Sequence, residues 1–231
     1  MDFFEAVERR RSIRRYKPVP VPETVIRKAL EAAVLAPNSS NAQTWDFYWV
    51  RSTDKKEKLV KACLNQSAAR TAAELIVVVA SPKSWKRSWP ELKKYVQEIG
   101  APGPVRTYYE RLFPWLYTWG PLSLVGLVKW VAANVVGMFR PTPRGPFSKK
   151  EVQTVAIKSA ALAAENFVLA VTAQGYSTCM MEGHDESRVK RLLGLSHSDR
   201  VVMVISVGEE AERGTWGPRF RLDSRQVIHE V

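Results

Sequence analysis

The chain has 231 residues, 45% hydrophobic and 25% charged, which suits one folded domain and excludes a disordered or fibrous chain. Its formal charge of +12 favours anionic partners such as phosphate, nucleic acid or anionic lipid. No nucleic-acid partner is expected, because there is no zinc-finger spacing, no RNA-recognition signature and no basic run beyond Arg9, Arg10 and Arg11.

Along the chain, Phe3, Phe4 and Val7 share helical spacing, so a short helix is predicted to deliver its last turn to Arg10 and Arg11. Pro18, Pro20 and Pro22 forbid a continuous helix. Pro22 and Glu23 then open one, PETVIRKALEAAVLAP, with Val25, Ile26, Ala29, Leu30, Ala33 and Val34 on one face and Pro37 closing it. NSSNAQ reads as turns, DFYWV as a strand and DKKEKLVKACL as a helix. LIVVVA is continuously apolar, the pattern of a strand buried on both faces. Ser148 and Glu151 form a capping box for a long buried helix that Gly175 ends. YSTCMM and VVMVISVG read as strands around a short amphipathic helix, DESRVKRLLG, and the tail from Glu209 is basic and irregular. Helices and strands are mixed without a βαβ repeat, a G-x-G-x-x-G fingerprint or a P-loop, so the class is α+β. Cys63 and Cys179 lie far apart with no His or Cys beside them, so neither a disulfide framework nor a metal site is expected. The charged start MDFFEAVERRRS lacks the apolar core of a secretory signal, which makes a cytoplasmic location the expectation.

Four separated segments carry the chemistry. Arg10, Arg11, Ser12, Arg14 and Tyr16 put guanidinium groups and a hydroxyl at a helix end, where they can grip a phosphate or stand as a solvated basic face. Ala36, Pro37, Asn38, Ser39, Ser40, Asn41, Ala42, Gln43, Thr44 and Trp45 form a small, polar loop that lets backbone approach a planar ring, or an ordinary helix-ending loop. Gly175 to Asp185 includes Met181, Glu182 and Gly183, with glycine where backbone comes close to a ligand. Pro218, Arg219, Phe220 and Arg221 add a basic pair near the other end. In this order the segments resemble the nitroreductase family of FMN flavoproteins and are similar to its R-x-S-x-R-x-[FY], A-P-S-S-x-N-x-Q-P-W and G-L-G-T-x-W-x-x-G-F-D patterns, with Asn38, Thr44 and His184 among the departures.

The resemblance implies a three-layer fold, a mixed and mostly antiparallel central sheet flanked by helices, in a homodimer with an exchanged C-terminal tail. It implies FMN as cofactor and NADH or NADPH as donor, reducing nitroaromatic or quinone-like small-molecule acceptors in ping-pong order. By the same resemblance Arg10, Arg11, Ser12, Arg219 and Arg221 hold the phosphate and Arg14 the N1 and O2 edge. Pro37, Asn38, Ser39, Asn41 and Gln43 reach the flavin of the partner subunit, Asn65 meets the pyrimidine, and Met181, Glu182 and Gly183 lie by N5 and O4. No side chain is assigned as catalytic, because the chemistry belongs to the flavin. Cys179 is expected to be a buried small hydrophobe, and His184 an exposed loop residue rather than a substrate contact. Alternatives are a specialised flavin enzyme of the same fold, such as a reductive dehalogenase or dehydrogenase, and a non-redox basic protein of a membrane surface or nucleic acid.

Residues 82–147 exceed what compact members of the family need, and hold five of the eight tryptophans. Pro121 to Phe139 is almost uninterruptedly apolar, but Lys129 and the glycines in and just before it, Gly120, Gly126 and Gly137, argue against a bilayer span. It reads as a lid or dimer-packing segment, or as a peripheral membrane contact on the cytoplasmic face. Residues 1–231 are taken as one FMN-binding domain carrying this insertion.

Overall fold

In the computed structural model, which describes residues 1–119 and 124–231, four strands build one antiparallel sheet. β1 (Trp45–Trp49), β2 (Glu74–Ala80), β3 (Ser177–Met181) and β4 (Arg200–Gly208) pair in the order β1-β2-β4-β3. Among the described residues the single parallel pairing is an isolated bridge between Ser12 and Thr178. β2 and β4 are central, so both of their faces need cover. Leu75, Val77 and Val79 point to one layer and Ile76, Val78 and Ala80 to the other, and all six are fully buried.

One layer is α2 (Glu23–Val34) and α9 (Lys149–Ala173). Ala29 and Ala33 of α2 and Ala160, Ala163 and Ala164 of α9 are buried in the same core cluster, where small side chains let helices approach closely. α9 is the described helix long and apolar enough to cross a membrane, but its buried row from Val152 to Thr172 makes it a core helix here. Its cap is half of the expected box: Ser148 Oγ accepts from Glu151 N at 3.2 Å, while the Glu151 carboxylate takes Phe147 N instead of Ser148 N. The other layer is α3 (Thr53–Ala62), α4 (Ser67–Thr71) and α10 (Glu186–Leu193), contributing Leu59, Ala68 and Val189. Gly194 stops α10 with a φ of 66°, a conformation that glycine adopts without a Cβ penalty.

α1 (Phe3–Arg9) ends one residue before Arg10. Its predicted apolar face is not packed, since Phe3, Phe4 and Val7 are all exposed and Ala6 is its buried residue. Val34, predicted on the core face of α2, is likewise exposed, at the last residue of the helix.

The insertion is helical: α5 (Trp85–Glu98), α6 (Gly103–Thr107), a π-helical turn over Tyr108–Leu112, α7 (Phe113–Tyr117) and α8 (Leu124–Val136). Trp85, Leu92, Phe113 and Tyr117 make a third core cluster with Ala42 and Val152. Lys129, in the middle of the apolar run, is 1% exposed. Its ammonium donates to Leu116 O at 3.1 Å and to Thr118 O, and lies 4.9 Å over the Trp115 ring. Thirteen residues give α8 a length of about 20 Å, short of a hydrocarbon core of about 30 Å. The start of the expected contact segment, residues 121–123, lies outside the described residues.

Candidate functional site

The arginine cluster is assembled from both ends of the chain. After α1 the backbone runs beside β3, with Ile13 N donating to Thr178 O at 2.9 Å. Tyr16 anchors this run: it is buried, its hydroxyl lies 2.8 Å from Ser206 Oγ, and burial raises its phenol far above the ordinary value. Its ring sits so close to Gly208 that an added Cβ would lie 2.7 Å from Tyr16 Cδ1. The tail then returns alongside, through Lys17 N to Glu209 O (2.9 Å), Ala211 N to Arg15 O (3.1 Å) and Arg14 N to Gly214 O (2.7 Å). Between the two runs is a cavity of about 370 Å³, lined by Arg10, Arg11, Ser12 and Arg14 on one side and residues 215–221 on the other.

Five guanidinium groups and no carboxylate line that cavity. Like charges at such density repel, and an anion relieves the repulsion. The Arg14 guanidinium is stacked 4.1 Å over Trp216. Arg10 has Glu165 nearest, at 3.9 Å. Arg11 donates to Gly217 O, tying the two runs together. Arg219 donates to Glu8 O and Arg10 O, carbonyls at the C-terminal end of α1 that lack helical partners. Arg219 therefore holds the helix end as well as facing the cavity. The bond recorded for Arg221 is to its neighbour Phe220 O, so its charge stays available. Cys179, beneath this cluster, is buried, and burial raises its thiol pKa against the opposing pull of Arg14 and Ser12. It is a protonated core side chain, in line with its expected role.

A second group lies where β3 ends. The Met181 side chain is buried in the α3 and α10 layer, so only its backbone faces outward, while Glu182 and Gly183 are exposed. Gln66 Nε2 donates to Gly183 O at 2.6 Å. Leu64 and Asn65 precede it with φ of 59° and 52°, and Asn65 is exposed. His184 departs from its expected exposure: it is half-buried, and its Nδ1 is fully enclosed without a hydrogen-bond partner among the described residues. The chain turns inward there because Asp185 N donates to Ala62 O at 2.8 Å.

The third group is the loop after α2. Ser40, Asn41 and Gln43 have φ of 56°, 49° and 48°, a left-handed conformation that is costly for residues other than glycine. Asn38 Oδ1 accepts from Gln43 N at 2.8 Å. The insertion grips the loop from outside: Tyr117 donates to Ser39 O at 3.1 Å, Ser88 to Ala42 O at 2.7 Å, and the Tyr108 and Ser40 hydroxyls are bonded at 2.5 Å. Pro37 and Ser39 are exposed, while Asn41 and Gln43 open onto a different cavity of about 680 Å³ with Trp45, Phe47, Arg87 and Tyr95. Within one chain, then, this loop and the arginine cluster line separate cavities.

The sequence reading missed Trp216 and its neighbours Thr215 and Gly217, which line the cavity, although an aromatic between two glycines just before Pro218 was a readable sign of a tight turn. It also missed the Gln66 bond to Gly183 and the grip of Ser88, Tyr108 and Tyr117, for which pairings distant in sequence leave no local signal. The residues present fit a phosphorylated planar cofactor. The arginine cavity offers charge to a phosphate, and the exposed Glu182–Gly183 backbone lies beside the unpartnered His184 Nδ1.

Comparison with known proteins agrees. YdgI of Bacillus subtilis, which carries an NAD(P)H nitroreductase name, is 27% identical over 96% of this chain and 95% of its own. An NADH dehydrogenase of Thermus thermophilus is 25% identical over 99% and 95%. Among solved structures, a protein from Exiguobacterium sibiricum in complex with FMN superimposes with a TM-score of 0.72 at 24% identity, covering 100% of this chain and 98% of that one. The NADPH:FMN oxidoreductase of Vibrio harveyi, complexed with NAD+, has a TM-score of 0.65 at 18% identity, covering 99% and 76%. With the Nitroreductase family model matching residues 7–209, the chain belongs to the nitroreductase family.

Proposed function

We propose that this protein is an FMN-dependent NAD(P)H oxidoreductase that reduces nitroaromatic or quinone-like acceptors. FMN, when bound, would supply hydride-transfer chemistry between NADH or NADPH and an acceptor taken in turn at the same place, the ping-pong order. The chain's own groups bind and orient. Arg10, Arg11, Ser12 and Arg221 hold the phosphate, with Arg219 fixing the end of α1 beside them. Arg14, steadied by Trp216, offers positive charge to the N1 and O2 edge, where a cation favours developing negative charge. The Glu182 and Gly183 backbone, braced by Gln66, meets the ring near N5 and O4, and Asn65 meets the pyrimidine. The observation that carries this reading is the carboxylate-free arginine cavity built from residues 10–14 and 215–221.

The separation of the Pro37–Gln43 loop from that cavity supports a homodimer in which each loop serves the other subunit's flavin. Exposed Phe3, Phe4, Leu162, Trp216 and Phe220 provide apolar surface for such an interface, and the tail is the element that would be exchanged. Residues 1–231 act in this reading as one cytoplasmic FMN-binding domain with an insertion at 82–147. Its α8 touches the membrane surface peripherally, supported by exposed Leu127, Val128, Trp130 and Val131 and by five Lys or Arg besides the buried Lys129, with no Asp or Glu, across residues 111–150.

The purified protein should be yellow, with flavin absorption bleached by NADH or NADPH. Arg10→Ala and Arg221→Ala should release FMN. Protein that stays colourless after incubation with FMN sinks the cofactor reading, and stoichiometric FMN retained in both variants sinks the phosphate assignment.

A further inference from the structure

Behind α8 lies a cavity of about 450 Å³ that neither the flavin nor the donor accounts for. It is enclosed by the Tyr108–Leu116 stretch, the inner face of α8 and the hook from Arg140 to Phe147. Its wall is overwhelmingly apolar, with Leu112, Trp115, Leu116, Ala133, Val136 and Phe147 as the main contributors. The volume falls in the range of about 300–1,000 Å³ typical of small-molecule sites. Lys129 belongs to the wall, but its ammonium is spent on Leu116 O, Thr118 O and the Trp115 face. Arg140 is the other charged residue of the wall, and it is exposed to solvent, while Arg144 beside the wall is spent on Ala133 O, Asn134 Oδ1 and Gly137 O. The interior therefore presents mainly hydrocarbon, and a neutral apolar chain is the occupant that gains most from leaving water. Tyr108 joins this cavity to the Pro37–Gln43 loop, since it lines the wall while its hydroxyl is bonded to that of Ser40.

We propose that this cavity binds the alkyl, acyl or isoprenoid chain of a lipophilic acceptor whose flat reducible head sits against the flavin beside Ser40. The inference rests on the functional reading above, in which the Ser40 loop faces a flavin, and it names the acceptor class of that site. A two-electron reduction of a quinone head fits without any further reactant: NAD(P)H loses a hydride and becomes NAD(P)+, and the quinone gains that hydride and one solvent proton to become the hydroquinone. The chain contributes binding alone.

The test is a series of quinones with one head and straight chains of increasing length, assayed with the FMN-loaded protein below micelle-forming concentrations. Each methylene that enters the cavity should raise kcat/KM about fourfold, the equivalent of roughly 0.8 kcal/mol per buried CH2, until a plateau. Ala133→Phe should flatten that slope, and Leu116→Ala should move the plateau to longer chains, an opposite effect that misfolding would not produce. A fluorescent fatty-chain probe displaced by the same series reads occupancy without turnover. Chain-length dependence that is flat, or equal in the wild type and both variants, by kinetics and by displacement, overturns the proposal. If even the chainless quinone is not reduced by FMN-loaded protein, the acceptor assignment falls at the level of the functional reading, while the displacement series still decides whether the cavity takes a chain.

Discussion

Gly208 is the residue at which a single methyl group should decide whether the arginine cavity forms. Placing Ala there sets a Cβ 2.7, 2.8 and 2.9 Å from Tyr16 Cδ1, Cγ and Cβ, at least 0.5 Å inside the 3.4 Å of ordinary contact. The atoms met are the root of a buried ring and not the end of a flexible chain, so the ring or its backbone must move. Overpacking of this kind costs about 1–3 kcal/mol, a fall in Tm of about 2–12 °C for a chain of this size. Because Tyr16 lies two residues beyond Arg14, FMN affinity should fall with it. Tyr16→Ala alone empties the site and should cost about 3–5 kcal/mol. In that background Gly208→Ala has nothing to strike and should instead stabilise by about 0.4–1 kcal/mol through the unfolded chain. The two mutations should therefore couple by about 1.5–4 kcal/mol. Urea titrations of the four proteins at one fixed FMN concentration measure this. An equal cost of Gly208→Ala with and without the Tyr16 ring would refute the steric argument.

Two further expectations concern alkaline pH and have opposite signs. Burial pushes the Cys63 thiol from 9.0 up to about 12, so the unfolded chain releases this proton first. The contribution is fully present below pH 9.0 and is lost as pH rises towards about 12; Cys63→Ala should show a flatter stability profile over that window, and an unchanged slope counts against the burial argument. Burial lowers the Lys129 ammonium below its ordinary 10.5, so between the lowered value and 10.5 the unfolded chain binds more protons. Wild type should gain stability relative to Lys129→Met as pH climbs from neutral to 10.5, and a difference that is constant or shrinks would contradict it.

What could be read from the sequence was whatever depends on neighbours along the chain. The two-sided burial of Leu75 to Ala80 and the long helix from Lys149 follow from local composition, and both stand in the sheet and its α9 layer. The pattern Arg10, Ser12, Arg14, Tyr16 could be read only as a resemblance, because a basic helix end by itself reads equally as a solvated face; the structure puts Arg10, Arg11, Ser12 and Arg14 on one cavity and buries Tyr16. Phe3, Phe4 and Val7 went the other way, because helical spacing identifies a face without saying what covers it. Three left-handed residues at Ser40, Asn41 and Gln43, none of them glycine, have no compositional signature. Lys129 argued for a polar interruption of α8, yet carbonyls at Leu116 and Thr118 receive it. His184 turned inward because of a backbone bond to Ala62, more than a hundred residues away in sequence.

The stitching of residues 10–17 to residues 209–219 has a consequence in time. A ribosome adds about 5–20 residues per second, so the N-terminal arginines wait roughly 10–40 s for the tail that closes their cavity. During that interval Tyr16 has no Gly208 to lie against and Arg14 no Trp216 to stack on. On the phosphate assignment proposed above, unfinished chains lack the finished cavity, and loading with cofactor becomes a late event that follows completed synthesis.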